Sequence, residues 1–164
     1  FLNRKCRVTG LDISTLALEK AKRRGIITVS WDLNNYPLPF DNDSFEVITI
    51  IDVLEHVVDP VNLLKESRRI LRKGGILLIS IPNFARWDNR MRMLFGNPKD
   101  LLHWPDDDGV EHLHWFTKKK IRLFLKKAGF SGIRFIPTGL PFGFVFGILG
   151  LHGLARILAV RCLK

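Results

Sequence analysis

Short apolar runs alternate with helix-forming segments along this chain, and this alternation restricts its fold more than any other feature. Runs typical of strands occupy 6–13, 26–31, 45–52, 75–81, 132–138 and 154–163. The runs at 45–52 and 75–81 are almost wholly apolar, which predicts strands covered on both faces. Strands that alternate with helices predict right-handed crossovers and a mostly parallel sheet with helices on both faces. The predicted class is therefore α/β, of the doubly wound type.

Three helices are predicted between these runs. Each follows a residue whose side chain can accept a hydrogen bond from a free backbone amide, and each stops at a glycine. The predicted helices are 15–24 after Ser14, about four turns from Pro60 to Gly74 after Asp59, and 118–128 after Thr117. The last strand follows a loop instead of a helix, so we expect it to run antiparallel to the others.

With 164 residues, 46% of them hydrophobic, the chain can form a single domain over 1–164. We expect an insert or lid at about 84–116 and an apolar loop at about 139–153. The apolar run 140–151 is shorter than the roughly 20 residues that span a bilayer, so no transmembrane segment is predicted. It is interpreted as a loop or lid, with an exposed patch that meets a membrane or an oily substrate as the alternative.

Charge and cysteine content indicate the class of partner and the compartment. The net charge is +10, which raises binding to nucleic acid or to an anionic membrane as an alternative. The basic residues are divided among three predicted helices and interleaved with apolar residues, as is typical of solvated helix faces. The two cysteines, Cys6 and Cys162, have neither disulfide-framework nor zinc-finger spacing, which favours a reducing, cytoplasmic setting.

Three aspartates, Asp12, Asp32 and Asp52, fall at the carboxyl ends of predicted strands. Ligands of open α/β sheets bind at that rim. A carboxylate after one strand can accept hydrogen bonds from two ribose hydroxyls, and a carboxylate one unit further can accept from an adenine amine. The three residues together predict a nucleoside pocket. The competing interpretation of each is a turn or capping aspartate, and it is strongest for Asp52.

Longer stretches carry a family resemblance. With "VTGLDIS", "PFDNDSFEVI", "VLEHVVDP", "LRKGGILLISIPN" and "HLHWFTKKKIRLFLKKAGF", the chain resembles the class I S-adenosylmethionine-dependent methyltransferases. It is most similar to the group that includes the MetW-like and ubiquinone-biosynthesis methyltransferases. The resemblance covers nearly the whole chain and implies a Rossmann-like fold with S-adenosyl-L-methionine as cofactor.

The resemblance also assigns roles at matching positions. It implies that one acidic residue holds the ribose hydroxyls, that an acidic and an apolar residue read the adenine edge, and that the end of the fourth strand lies by the cofactor. Asp12 matches the residue at the ribose hydroxyls, and Ile13 lies beside the adenine. Asp32 and Leu33 match the pair at the adenine edge, and Ile51 and Asp52 match the end of the fourth strand.

The family's first strand and its glycine-rich loop find no match, because the sequence opens just before the second strand. The glycines of that loop let the backbone approach the methionine half of the cofactor closely. We therefore expect a domain truncated at its amino end, with unpaired strand edges beside the missing strand. Whether such a chain is active by itself is left open.

Histidines are the candidate bases for an acceptor hydroxyl or amine. His114 lies in "EHLHWFT", where the family places chain that covers the substrate, and His56 follows the fourth strand. A purely structural histidine is the alternative for both. Three histidines and four carboxylates also gather at 103–114, but an acidic surface loop accounts for this loose pattern, and no metal site is predicted.

The sequence thus predicts a methyltransferase that acts on an oxygen, nitrogen or carbon of a small-molecule acceptor. The apolar run at 140–151 hints at a lipid-like acceptor. Two alternatives remain: a MetW-like accessory protein that works through a partner enzyme without methylating anything, and a methyltransferase that acts on RNA.

Overall fold

A computed structural model describes residues 6–96, 112–136 and 157–164 of the chain. These residues form six strands and four helices, in the order β1 Thr9–Asp12, α1 Thr15–Arg23, β2 Ile27–Ser30, β3 Phe45–Ile51, α2 Pro60–Ile70, β4 Leu71–Pro82, α3 Trp87–Leu94, α4 Lys118–Lys127, β5 Ser131–Ile136 and β6 Ile157–Leu163. The chain divides into two units, Phe1–Phe40 and Asp41–Lys164.

The first unit is a strand, a helix and a second strand. β1 and β2 pair in parallel, in a register that runs from Thr9 opposite Ile27 to Asp12 opposite Ser30. The predicted cap of α1 is present, because the Ser14 hydroxyl accepts a hydrogen bond from the Ala17 amide at 3.3 Å. No residue of α1 is buried.

The second unit contains a four-stranded sheet in the order β3-β4-β6-β5. β3 and β4 are parallel, whereas β6 is antiparallel to both β4 and β5. The predicted antiparallel last strand is therefore confirmed, and it occupies an interior position of its sheet. The parallel pairs that the structure describes are β1 with β2 in the first unit and β3 with β4 in the second.

One face of this sheet forms the core of the second unit. Alternate residues of β4 and β6 are buried on the same face, since the register places Leu77 opposite Cys162 and Ile79 opposite Val160. α2 and α4 pack on each other and on this sheet. The helix residues buried there are Leu63, Leu64, Ile70, Ile121 and Leu125. Burial in this apolar layer raises the pKa of the Cys162 thiol to about 12, because the thiolate loses its hydration.

The prediction that β3 is covered on both faces is wrong. Val47 is 49% exposed and Ile51 is 54% exposed. Among the described residues, β3 pairs with β4 alone, so it is an edge strand of its sheet. β4 is fully buried on one face and half-buried on the other.

The predicted end of α2 at Gly74 is also wrong. α2 ends at Ile70, because Leu71 already pairs with Phe45 at the start of β4. Gly74 has φ +73°, a conformation that favours glycine. A Cβ on Gly75 would lie 2.8 Å from the Arg72 carbonyl oxygen. The two glycines therefore shape an irregular start to β4, and they do not end a helix.

The expected insert at 84–116 contains α3, which the sequence did not predict. Its N-cap residue, Arg86, makes no capping hydrogen bond with its side chain, so the usual start signal is missing. Residues 97–111 of the insert lie outside the described residues, as does the expected apolar loop at 139–153. Across the described parts of the chain, no helix has both the length and the apolar character needed to cross a membrane.

Candidate functional site

In the first unit, two aspartates lie at the same end of the parallel β1–β2 pair. Asp12 is the last residue of β1, and Asp32 follows the end of β2 by two residues. The two strand ends are joined by a hydrogen bond from the Trp31 amide to the Asp12 carbonyl at 3.0 Å. The prediction that Asp12 and Asp32 lie on one rim is therefore confirmed for this sheet.

Each of these carboxylates also shapes the chain that follows it. One oxygen of Asp12, Oδ1, accepts a hydrogen bond from the Ser14 amide at 2.8 Å. Oδ1 of Asp32 accepts from the Asn34 amide at 2.8 Å and from the Asn34 side chain at 3.0 Å. Both aspartates therefore also stabilise the turn that follows them, as the competing interpretation of the sequence held. A carboxylate has roughly four lone-pair sites, so each keeps capacity to bind a ligand.

Apolar side chains adjoin both aspartates. Ile13 is 68% exposed, and Leu33 is half-buried. An exposed isoleucine directly after an acidic residue offers an apolar surface next to hydrogen-bond acceptors. Such a combination suits a ligand with a flat apolar ring and attached hydroxyl groups.

In the second unit, Asp52 directly follows β3. It has φ +49°, an uncommon conformation for a residue other than glycine. Two contacts with Ser80 hold it: the Asp52 amide donates to the Ser80 carbonyl at 2.9 Å, and the Ser80 hydroxyl donates to Asp52 Oδ1 at 3.2 Å. Ile51 is half exposed beside it. Asp52 therefore lies in a turn, as the competing interpretation held, and its backbone there is strained.

The two predicted histidines lie on segments that the second unit brings together. The amides of Leu113 and His114 both donate to the Glu55 carbonyl oxygen, at 2.9 and 3.1 Å. A ring nitrogen of His114, Nε2, lies 3.2 Å from the Val58 carbonyl oxygen. His56 stacks on His112, with ring centroids 4.7 Å apart.

A buried acidic residue that was not singled out from the sequence, Glu55, is part of the same region. It is 1% exposed, and its carboxylate lies with His56 and His112 in a cluster whose candidate ligand atoms are all within 4.8 Å of one another. The only sequence signal for it was its position beside His56. Nothing local connects it to His112, which is distant along the chain.

Two aromatic residues, Trp115 and Phe116, follow His114 in the chain. Phe116 is 1% exposed and packs edge-on against Phe124, and its carbonyl accepts a hydrogen bond from the Phe84 amide at 2.8 Å. Trp115 is 43% exposed and contacts Phe84. Phe116 therefore anchors the segment, and Trp115 leaves apolar surface open beside His114.

Known proteins identify the family to which these features belong. Residues 2–134 match the sequence pattern of a family described as a methyltransferase domain. This chain is a class I S-adenosylmethionine-dependent methyltransferase by family. S-adenosylmethionine is the cofactor of the family, and both the resemblance and the Rossmann-like fold predicted from the sequence are confirmed.

Similar proteins extend this assignment. The ubiquinone biosynthesis O-methyltransferase of Histophilus somni is 32% identical over 127 residues, which cover 60% of this chain and 53% of that protein. The demethylmenaquinone methyltransferase of Tropheryma whipplei is 35% identical over 161 residues, covering 91% of this chain and 65% of that one. An S-adenosylmethionine-dependent methyltransferase from Thermotoga maritima shares the fold, with a TM-score of 0.68, 20% identity, and coverage of 99% and 75% of the two chains.

The curated methyltransferases compared above are considerably longer than the part that this chain matches. The chain spans about half the length of the ubiquinone biosynthesis O-methyltransferases. Family and fold are therefore shown for this methyltransferase chain, whereas its acceptor and its own activity are matters of proposal.

Proposed function

We propose that this chain binds S-adenosylmethionine and serves the transfer of its methyl group to a small apolar acceptor. The observation that carries the proposal is the pair of carboxylates, Asp12 and Asp32, at adjacent carboxyl ends of parallel strands in a chain of this family. Ligands of open α/β sheets bind at such ends.

In the first unit, we assign the nucleoside half of the cofactor to this pair. Asp12 accepts hydrogen bonds from the ribose hydroxyls, and Asp32 accepts one from the adenine amine. Each has one oxygen engaged with its own turn, which fixes the orientation of the carboxylate before the cofactor binds. Ile13 and Leu33 pack against the adenine, which removes the exposed isoleucine surface from water.

In the second unit, Ile51 and Asp52 are proposed as further cofactor contacts. Support comes from the φ of +49° at Asp52, which the two hydrogen bonds with Ser80 hold in place. Such a backbone conformation costs about 1–3 kcal/mol, and strain of this kind clusters at ligand sites.

Methyl transfer from a sulfonium is an in-line displacement that depends chiefly on positioning and on exclusion of water. A hydroxyl acceptor also has to lose a proton, and His114 is the proposed base. If Nε2 carries the hydrogen that is donated to the Val58 carbonyl, then Nδ1 is left as the proton acceptor. His56 is the second candidate, although it stacks on His112.

The acceptor is proposed to be apolar and aromatic, of the quinone type. Two kinds of support are available: similar proteins are named for ubiquinone and demethylmenaquinone, and exposed apolar side chains of Leu113 and Trp115 flank His114. The cytoplasm remains the proposed compartment. Its support is the free state of both described cysteines, Cys6 and Cys162.

The test is a calorimetric titration of S-adenosylhomocysteine into the 164-residue chain. A parallel titration uses an extended form, in which the first strand and glycine-rich loop of a class I methyltransferase are joined to its amino end. Forms that bind are then assayed for transfer of labelled methyl groups from S-adenosylmethionine to a quinol and to RNA.

Binding by either form, followed by methylation of the quinol, supports the proposal. Absence of binding by both folded forms refutes it and favours an accessory protein that acts through a partner enzyme. Methylation of RNA alone, with RNA affinity that falls steeply as salt rises, refutes the small-molecule acceptor.

A further inference from the structure

Three side chains of the second unit converge from segments that are far apart in sequence. Glu55 and His56 lie in the turn after β3, whereas His112 lies just before α4. Their candidate ligand atoms are all within 4.8 Å of one another. The rings of His56 and His112 stack at a centroid distance of 4.7 Å with an interplanar angle of 27°.

The protein holds both segments rigidly around this cluster. The turn after β3 is anchored by two core residues, Leu54 at 0% and Val57 at 3% exposure. The segment with His112 is fastened to that turn by the two hydrogen bonds that the Glu55 carbonyl accepts from residues 113 and 114. Further along, Phe116 pairs with Asn83 at the end of β4. Ligands on elements fixed in this way are preorganised for binding.

The chemistry of the three side chains is that of a zinc site. Two imidazoles and one carboxylate form a catalytic zinc ligand set that leaves a fourth position for water or substrate. Magnesium prefers oxygen ligands throughout, so two histidines favour a transition metal over magnesium. Glu55 is 1% exposed, so its carboxylate would contact a bound zinc ion away from bulk water.

The geometry is close to what zinc requires. Bonds of roughly 2.0–2.2 Å to zinc place tetrahedral ligand atoms about 3.4 Å apart. The present separations of up to 4.8 Å therefore have to shorten by no more than about 1.4 Å.

We propose that Glu55, His56 and His112 bind one zinc ion, through the carboxylate and one ring nitrogen of each histidine. None of the three ligands is a carboxylate proposed for the cofactor, and the zinc proposal does not rest on methyl transfer. If His56 binds zinc, His114 is left as the proposed base. The loose metal pattern in the sequence comprises the histidines and carboxylates of 103–114 alone. The proposed site takes only His112 from that segment, and its other two ligands come from the turn after β3.

The test is a zinc titration of the tag-free 164-residue chain after treatment with a chelator. Calorimetry gives the stoichiometry, and the absorption spectrum of the cobalt-substituted protein reports the coordination geometry. We expect one equivalent of zinc and a tetrahedral cobalt spectrum. Loss of a residue that only orients a metal ligand weakens metal binding about 10–100-fold. His56 and His112 are proposed as direct ligands, so His56→Gln and His112→Gln should each weaken zinc binding at least about 100-fold.

The matched control is His114→Gln, which alters a nearby histidine outside the cluster and should leave zinc affinity unchanged. Circular dichroism checks that each variant is folded, and Glu55→Gln tests the carboxylate without changing its size. The proposal is overturned if the folded wild-type chain binds no zinc, since the cluster is then held by direct carboxylate–imidazole contacts. It is also overturned if His114→Gln weakens binding as much as His112→Gln does.

Discussion

Replacement of Asp12 by asparagine separates the two roles that the structure gives this side chain. Oδ1 of Asp12 accepts a hydrogen bond from the Ser14 amide at 2.8 Å, and an asparagine carbonyl can accept the same bond. The replacement removes the negative charge and turns the other oxygen into a donor. The turn before α1 should therefore persist, while the proposed acceptor for a ribose hydroxyl is lost.

The size of the effect follows from one charge-assisted hydrogen bond. Such a bond contributes about 1.5–3 kcal/mol. At about 1.4 kcal/mol for each factor of ten, Asp12→Asn should weaken S-adenosylhomocysteine binding about 10- to 150-fold. The side chain is exposed and its turn bond is retained, so the free energy of unfolding should change by no more than about 0.5 kcal/mol.

The assay is calorimetric titration of S-adenosylhomocysteine, combined with urea unfolding, in whichever form of the chain binds this ligand. Ser14→Ala is the matched control. It removes the hydroxyl that caps α1 through the Ala17 amide, which should cost about 0.5–2 kcal/mol of stability and leave affinity unchanged. Wild-type affinity in Asp12→Asn, or an equal loss of affinity in Ser14→Ala, would refute the assignment of Asp12 to the ribose.

Three further predictions concern the second unit. Gly75→Ala should destabilise the chain by about 1–3 kcal/mol in urea unfolding, because its Cβ would lie 2.8 Å from a backbone oxygen. Gly74→Ala, where a Cβ would have no neighbour within 4 Å, should cost the roughly 1–2 kcal/mol of a left-handed residue. A loss below about 1 kcal/mol in Gly75→Ala would contradict the packing argument. Leu64→Ala should cost about 2–5 kcal/mol by the same measurement, since Leu64 is 0% exposed, and a loss below about 1 kcal/mol would show that the core closes around the gap. The pKa of the Cys162 thiol is raised from 9.0 to about 12. The stability that its protonated form contributes is therefore complete below pH 9.0 and is lost as the pH rises toward 12. The free energy of unfolding should therefore decline more steeply over this range in the wild type than in Cys162→Ala, and parallel curves would contradict the shift.

Local hydrogen-bonding chemistry was predicted well from the sequence. The side chains of Ser14, Asp59 and Thr117 all accept hydrogen bonds from amides of the helices that they precede. These interactions span three residues, so the residues that decide them lie next to one another in the chain. The antiparallel last strand was predictable for a similar reason, because a loop instead of a helix leads into it.

Features that depend on distant neighbours were not predicted. The apolar run 45–52 suggested a doubly covered strand, but whether β3 lies inside or at the edge of its sheet depends on pairing, which composition does not reveal. The end of α2 was misplaced because Leu71 joins β4 through its pairing with Phe45. Glu55 and His112 meet only because the fold fastens the segment before α4 to the turn after β3.

The interior position of β6 has a consequence for folding kinetics. Leu77 of β4 and Cys162 of β6 pack together although they are 85 residues apart in the chain. Among the strands that the structure describes, β5 pairs with β6 alone, so during synthesis it lacks this partner until residues 157–163 have left the ribosome. Contacts at such sequence separation slow folding, and β4 and β5 meanwhile expose unpaired edges. The nascent chain should therefore be most prone to aggregate, and most dependent on chaperones, just before β6 emerges.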